Sequence, residues 1–217
     1  MMRKFSSYGP PNTKIHYYAP RESLCASALQ QLKGDDPDDG GHYITVWAPR
    51  QTGKTSIMQN VFLTLQQETE FDVVMLSLQY LDEVTDVNEV AQLIAQEVME
   101  NLNLKHLSVN RLEDFHLLFK RATLSKPLIL ILDEFDALNE AALSRLVSVF
   151  RHIYNTRRNQ ANKTTAEKTY LLHGLALIGV RTVLGVENVK GSPFNVQRSV
   201  HIPNLTSDEV AYLFDWY

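Results

Sequence analysis

The chain has 217 residues, of which 44% are hydrophobic and 21% charged, and its formal net charge is -4. This composition is that of a globular domain, and the length suits one domain or one domain with part of a second. The mildly acidic balance gives no general attraction to nucleic acid phosphates. Cys25 is the only cysteine, so the chain offers neither an intrachain disulfide nor a thiolate zinc site.

The apolar runs of the sequence are too short for a membrane segment. The longest, residues 128–132, is far below the ~20 residues that a spanning helix requires. Polar, Gly and Pro residues follow Arg3 and Lys4, where a signal peptide would continue with an apolar stretch. We therefore expect a cytoplasmic protein without a membrane segment.

The predicted elements alternate between strands and helices, which is typical of an α/β architecture. A helix is predicted over 21–33, where Leu24, Ala28 and Leu32 share one face. The strands are predicted at 43–47, 71–78, 128–132, 170–180 and 200–202. Further helices are predicted after residue 55, over 87–102, over 111–122, over about 140–157, and from Thr206, where Glu209 completes a capping box.

Two polar segments are predicted to be loops. Residues 34–41 contain four aspartates without the alternating ligand spacing of a calcium loop, so a solvated turn region is expected. Residues 159–168 show no apolar periodicity, and we expect a mobile loop there. We divide the chain into an amino-terminal lead and helix, 1–40, that packs on a core, 41–217.

The strongest motif lies between the first strand and the next helix. The phosphate-loop pattern is G-x-x-x-x-G-K-[S/T], and residues 48–55 comply except that Ala48 replaces the first glycine. Alanine is acceptable there if its backbone φ is negative. Gly53 would admit the phosphates to the backbone amides, Lys54 would reach the outer phosphates, and Thr55 would offer its hydroxyl to Mg²⁺. The expected nucleotide-binding residues of the loop are Ala48, Pro49, Arg50, Gln51, Thr52, Gly53, Lys54, Thr55 and Ser56.

Acidic residues follow the apolar strand at 128–132. The carboxyl end of a parallel strand is where open α/β sheets bind ligands. Asp133 would hold Mg²⁺ directly or through water, and Glu134 would orient and deprotonate the attacking water. Asp136 is a weaker candidate, since a role in capping the helix that begins near Asn139 explains it equally well.

The fourth strand is followed by Arg181 and Thr182. If this strand lies between the first and the third, its end faces the terminal phosphate, and a polar or cationic side chain there would sense it. An arginine that simply leaves the strand into solvent is the alternative.

Three stretches together resemble a known family: APRQTGKTS, ILILDEFDAL and SPFNVQRSVHIPNLTSDEV. They are similar to the AAA-like P-loop ATPase domains of bacteria and archaea, in the group related to the STAND signalling ATPases. The resemblance extends over the chain from about Tyr17. It implies a three-layer αβα sandwich with a mostly parallel five-stranded sheet of order 5-1-4-3-2, Mg²⁺-ATP as the ligand, and ATP-driven switching or remodelling.

The resemblance also assigns residues. Lys54 and Thr55 match the phosphate and magnesium positions, Asp133 and Glu134 match the acidic pair, and Arg181 or Thr182 falls at the sensor position. Lys54, Glu134 and Arg181 are thus the candidates for catalysis, and the segment with Tyr18 and Arg21 is expected near the adenine. Two features depart from the family pattern: Arg198 is the only arginine between Thr182 and the end of the predicted fifth strand, so no clear arginine finger is seen, and a lid or winged-helix domain is expected to be absent after Tyr217.

Three functions remain open from the sequence. The first is an ATPase whose nucleotide state switches a protein partner or fused signalling domains. The second is a nucleotide-binding scaffold with negligible turnover, which the missing lid and finger would favour. The third is a DNA-linked ATPase, supported only by a basic stretch that a solvated helix end and loop also explains; its residues are Arg151, Arg157, Arg158, Lys163 and Lys168.

Overall fold

The computed structural model describes residues 4–5, 12, 14–36, 38–104, 107–179 and 198–215. The strands in these ranges are β1 (Tyr43–Trp47), β2 (Asp72–Ser77), β3 (Leu128–Asp133), β4 (Leu172–Gly179) and β5 (Arg198–His201). The α-helices there are α1 (Glu22–Lys33), α2 (Lys54–Leu65), α3 (Val87–Asn101), α4 (Glu140–Arg158) and α5 (Ser207–Phe214). The predicted strands are confirmed, with ends shifted by at most about two residues.

The five strands form one parallel sheet in the order β2-β3-β4-β1-β5. This is the predicted order 5-1-4-3-2 read from the opposite edge, so the fold prediction is confirmed. Because β4 lies between β1 and β3, the segments that leave β1 and β3 flank the carboxyl end of β4. Loops at such a position in an open α/β sheet form its ligand site.

Helices cover both faces of the sheet. In β3, Leu128, Leu130 and Leu132 belong to the apolar cluster shared with α3 and α4, whereas Ile129 and Ile131 belong to the cluster shared with α1 and α2. This alternation follows from the two-residue period of a strand. A strand that is apolar on both faces must be covered on both faces, and the result is the three-layer αβα sandwich.

The helix predicted over 111–122 is the one element of the wrong type. The structure has a 3-10 helix at Leu112–Phe119 instead. Leu112, Phe115 and Leu118 are all buried there, and their spacing of three residues matches the three residues per turn of a 3-10 helix. The sequence pattern was interpreted with the period of an α-helix, although it fits a period of three better.

The two polar segments predicted as loops meet at the amino-terminal ends of the strands. Lys168 is fully buried, and its Nζ donates to the carbonyl oxygens of Asp38 (2.6 Å) and Asp39 (3.1 Å). Arg157 is 3% exposed and donates to the carbonyl oxygen of Tyr170 at 2.5 Å. We call Asp38, Asp39, Arg157 and Lys168 the basal clasp. Both segments are loops or turns, as predicted, and Asp38 is exposed, whereas Thr165 and Lys168 of the second segment are buried.

Two residues of the basal clasp also belong to the basic stretch that supported DNA binding. Arg157 and Lys168 are buried, and the exposed Arg158 forms an ion pair with Asp39. The alternative explanation, a solvated helix end and loop, does not hold for the whole stretch, because Arg157 and Lys168 are in the interior. Within the described ranges, no helix is both long and apolar enough to cross a membrane.

Candidate nucleotide-binding site

The loop between β1 and α2 has the backbone that a phosphate cradle requires. Ala48 is fully buried and is not among the described non-glycine residues with positive φ. The condition under which alanine replaces the first glycine is thus met. Positive φ occurs instead at Gln51 (62°) and Gly53 (89°). Among the described residues, no atom apart from those of the adjoining residues lies within 4 Å of the position that a Cβ of Gly53 would occupy, which leaves space for a ligand beside the backbone there.

Lys54 is the first residue of α2 and is only 7% exposed. Its Nζ donates to the carbonyl oxygens of Ala48 (3.1 Å) and Pro49 (3.0 Å), which holds the ammonium against the loop. The side chain of Thr52 also donates to the carbonyl oxygen of Pro49, at 2.9 Å. An ammonium has three N–H donors, so one donor of Lys54 has no partner among the described residues.

The amino terminus of α2 points the first backbone N–H groups of this helix toward the same space. These groups have no acceptor within a helix, and the helix dipole adds partial positive charge at this end. A phosphate group is the ligand for which such an end is suited. The loop, the ammonium and the helix terminus thus converge on one anion-binding position.

Asp133 and Glu134 lie beside this position, at the carboxyl end of β3. Asp133 is 4% exposed, its carboxylate accepts a hydrogen bond from the backbone N–H of Glu134 at 2.9 Å, and the Thr55 side chain lies close enough to influence its charge. Burial raises the pKa of Asp133, while the neighbouring Thr55 side chain and the charge of Lys54 act in the opposite direction. The loop and the acidic strand end therefore lie next to each other at Thr55 and Asp133.

Glu134 is half-buried and has a left-handed backbone, with φ 52°. Desolvation raises the pKa of its carboxyl group, as do the charges of Asp133 and Asp136, whereas Lys54 and Arg50 lower it. A carboxylate with a raised pKa is a better proton acceptor, provided that it is ionised at the working pH. The pKa of Glu134 is raised in this way, and its carboxyl group lies near the charges of Lys54 and Arg50.

The neighbouring side chains of Thr55 and Asp133 fit a magnesium ion. A hydroxyl and a carboxylate are hard oxygen ligands, which Mg²⁺ prefers. The described residues contain no cluster of three or more His, Cys, Asp or Glu side chains that would hold a metal alone. An Mg²⁺ ion bound together with a nucleotide takes only one or two protein ligands besides phosphate and water.

Two residues expected near the adenine make contacts within the protein. The Asn60 side-chain amide on α2 donates to the Tyr18 hydroxyl at 2.8 Å. Arg21 is buried and pairs with Glu209 of α5 at 3.0 Å; it also donates to the carbonyl oxygen of Pro203 at 2.7 Å. The segment before α1 therefore joins the phosphate-loop helix to α5. Contact of Tyr18 and Arg21 with adenine remains a prediction.

The end of β4 shows a contact that the sequence did not indicate. Gly179 ends this strand, and a Cβ built there would lie 3.0 Å from Cγ of Asp136. The alternative role proposed for Asp136, as a helix cap, is wrong, because the side chain of Asn139 accepts the hydrogen bond from Ala142 N that caps α4. The sensor candidates Arg181 and Thr182 lie outside the described residues.

The fold and this site define the chain as an α/β protein of the P-loop NTPase type. It belongs to the AAA-like domain family, whose family model matches residues 9–217. No curated protein sequence matches this chain.

Solved structures share this fold. The ORC1 protein of Aeropyrum pernix, solved in complex with DNA, is 20% identical with a TM-score of 0.58, over 91% of this chain and 49% of that one. Cdc6p of Pyrobaculum aerophilum is 17% identical with a TM-score of 0.57, over 97% and 52%. The ORC2 protein of Aeropyrum pernix, solved as ADPNP-ADP complexes, is 15% identical with a TM-score of 0.56, over 98% and 54%. The chain spans about half the length of these solved chains.

Proposed function

We propose that this chain binds Mg²⁺-ATP at the loop 48–55 and hydrolyses it, and that the bound nucleotide switches a protein partner or fused domains, as in relatives of the STAND signalling ATPases. The observation that supports this most directly is that the Thr55 side chain lies close enough to Asp133 to lower the pKa of that carboxyl group. The two candidate metal ligands thus lie together beside Lys54, although Thr55 and Asp133 are 78 residues apart in the chain. A chance match to a loop motif would not predict this proximity.

Each residue has a distinct task in the proposed reaction. Lys54 neutralises the outer phosphates; at an effective dielectric near 20, an ammonium 4 Å from a unit charge contributes about 4 kcal/mol. Thr55 and Asp133 hold the magnesium ion, which supplies Lewis-acid stabilisation of phosphate charge. Glu134 accepts the proton of the attacking water and orients it. Arg181 or Thr182 completes the site as the sensor of the terminal phosphate.

Phosphate release and nucleotide binding, measured together, test the proposal. The variants are Lys54→Ala and Glu134→Gln. The matched controls are Lys126→Ala and Glu70→Gln, because both residues are exposed and lie just before β3 and β2, at the amino-terminal ends of the strands and away from the phosphate loop. We expect Lys54→Ala to lose binding and turnover, and Glu134→Gln to lose turnover alone. Tight binding without turnover in the wild type would identify the scaffold instead, and absence of binding would refute the site.

A DNA-linked ATPase is tested at the exposed members of the basic stretch. A substitution at the buried Arg157 would disrupt the fold and would not report on DNA. Arg158→Glu combined with Lys163→Glu changes only exposed members of the basic stretch. A salt-dependent mobility shift with DNA that these changes abolish would support this function, and the absence of a shift at low salt would contradict it.

A further inference from the structure

Asp136 follows the acidic pair and contacts the strand that separates the two halves of the site. It lies in a short 3-10 helix, Phe135–Ala137, directly after Glu134. Its side chain lies against the α-carbon of Gly179, the last residue of β4. A Cβ built at Gly179 would be 3.0 Å from Cγ and Oδ1 of Asp136 and 3.3 Å from its Cβ.

Gly179 is needed for space and not for its backbone conformation. Among the described glycines, positive φ is found at Gly34, Gly40 and Gly53, and Gly179 is not in this group. Its backbone is therefore open to any L-residue. A Cβ at this position would meet the Asp136 carboxylate at a distance tighter than nine in ten real Cβ contacts, so the carboxylate would have to shift by a few tenths of an ångström. The missing side chain of Gly179 is what allows Asp136 to approach β4.

This contact lies at the level of the phosphate loop. Gly179 is paired in the sheet with Trp47, the residue directly before Ala48. β4 is bonded to β1 on one side and to β3 on the other. Asp136 thus connects the turn that carries Glu134 to the end of β4, the strand that lies between β3 and β1.

We propose that Asp136 is a positioning residue: by packing on Gly179 it fixes the turn that carries Glu134 relative to the end of β4 and the phosphate loop. This inference rests on the proposed ATP hydrolysis. Asp136 is not required to touch the nucleotide. Its removal allows the Glu134 carboxylate to move from the position that accepts the proton, and the binding of nucleotide by Lys54 and Thr55 is retained.

A double-mutant cycle tests the contact, with Asp136→Ala, Gly179→Ala and the double variant. We expect each single change to lower kcat roughly tenfold or more, because small displacements of a reacting group are costly, and to leave the Kd for nucleotide within about twofold, as expected when binding groups are unchanged. The double variant should be no slower than Asp136→Ala alone, because the carboxylate that the new methyl group would meet is gone. Asp136→Asn keeps the shape and should retain most of the activity.

The outcomes separate this inference from the function on which it rests. A wild type without turnover refutes the proposed function. A wild type that turns over, with Asp136→Ala within about twofold of it or with losses that simply add in the double variant, refutes the positioning role alone. A parallel loss of nucleotide binding or of the thermal transition in both Asp136→Ala and Asp136→Asn would show that Asp136 is only structural.

Discussion

His173 provides a test of the buried electrostatics at the basal clasp. This residue of β4 is 1% exposed, and its Nε2 lies 2.8 Å from the Lys33 carbonyl oxygen, to which it therefore donates. Its Nδ1 has no hydrogen-bond partner among the described residues. Burial lowers the pKa of His173 from 6.5 to about 4, and the charges of Arg157 and Lys168 contribute in the same direction. The native protein thus holds a neutral imidazole near the charges of Arg157 and Lys168.

The sign of the pH dependence follows from these two pKa values. Between pH 6.5 and about 4, the unfolded chain binds a proton at His173 and the folded chain does not, so acidification favours unfolding. Lowering the pH from 7 to 5 should reduce the free energy of unfolding by about 2 kcal/mol through this residue alone, and the full effect is about 3 kcal/mol. A domain with a total stability of about 5–15 kcal/mol would show this clearly.

Urea unfolding followed by circular dichroism at pH 7 and pH 5 measures the effect in the wild type and in His173→Gln, which keeps a donor for the Lys33 carbonyl. The free energy of unfolding of the wild type, measured relative to that of His173→Gln, should fall by about 2 kcal/mol from pH 7 to pH 5. His152→Gln, a change at an exposed histidine of α4, is the control for the substitution itself. Identical pH dependence in the wild type and His173→Gln would refute the assignment of a buried neutral imidazole.

Three further substitutions test local features. Asn139→Ala removes the side-chain oxygen that accepts from Ala142 N at 2.9 Å, and urea unfolding should show a loss of about 0.5–2 kcal/mol; an unchanged midpoint would contradict this role. Glu209→Ala leaves the 6% exposed Arg21 side chain without its ion pair and should cost about 1–3 kcal/mol, with Glu209→Gln closer to the wild type. Gln51→Gly relieves a left-handed φ and should raise the melting temperature, by a free energy of up to about 1 kcal/mol, without loss of nucleotide affinity; a lower melting temperature would show that no strain is stored there.

The strands and the halves of the site were predictable from local sequence. β3 is a run of branched apolar residues that ends in carboxylates, and a run of this kind has few alternatives. The glycine and lysine at 53–54, between a strand and an amphipathic helix, defined the loop in the same way. The order of the strands came from a resemblance, since no local pattern shows that β4 lies between β1 and β3.

What could not be predicted depends on partners that are distant in the chain. Lys168 is surrounded by polar residues in the sequence, and only the carbonyl groups of residues 38 and 39 explain how its charge is buried. Gly179 gives no conformational signal, and its importance comes from the neighbouring Asp136 side chain. Gln51 has a positive φ, although nothing in its residue type indicates it. In all three cases, the deciding contact or backbone angle exists only after folding.

The central position of β4 also determines when the site can exist during folding. The hydrogen bond from Lys168 to the Asp38 carbonyl oxygen closes a loop of 130 residues, for which the entropy of closure is about 4 kcal/mol. β4 must enter between β1 and β3 before the phosphate loop and the acidic pair are held at their final separation. Contacts this distant in sequence slow folding. A chain that has reached only β3 therefore carries both motifs but has no site, and ATP should not bind until the last inner strand has been inserted.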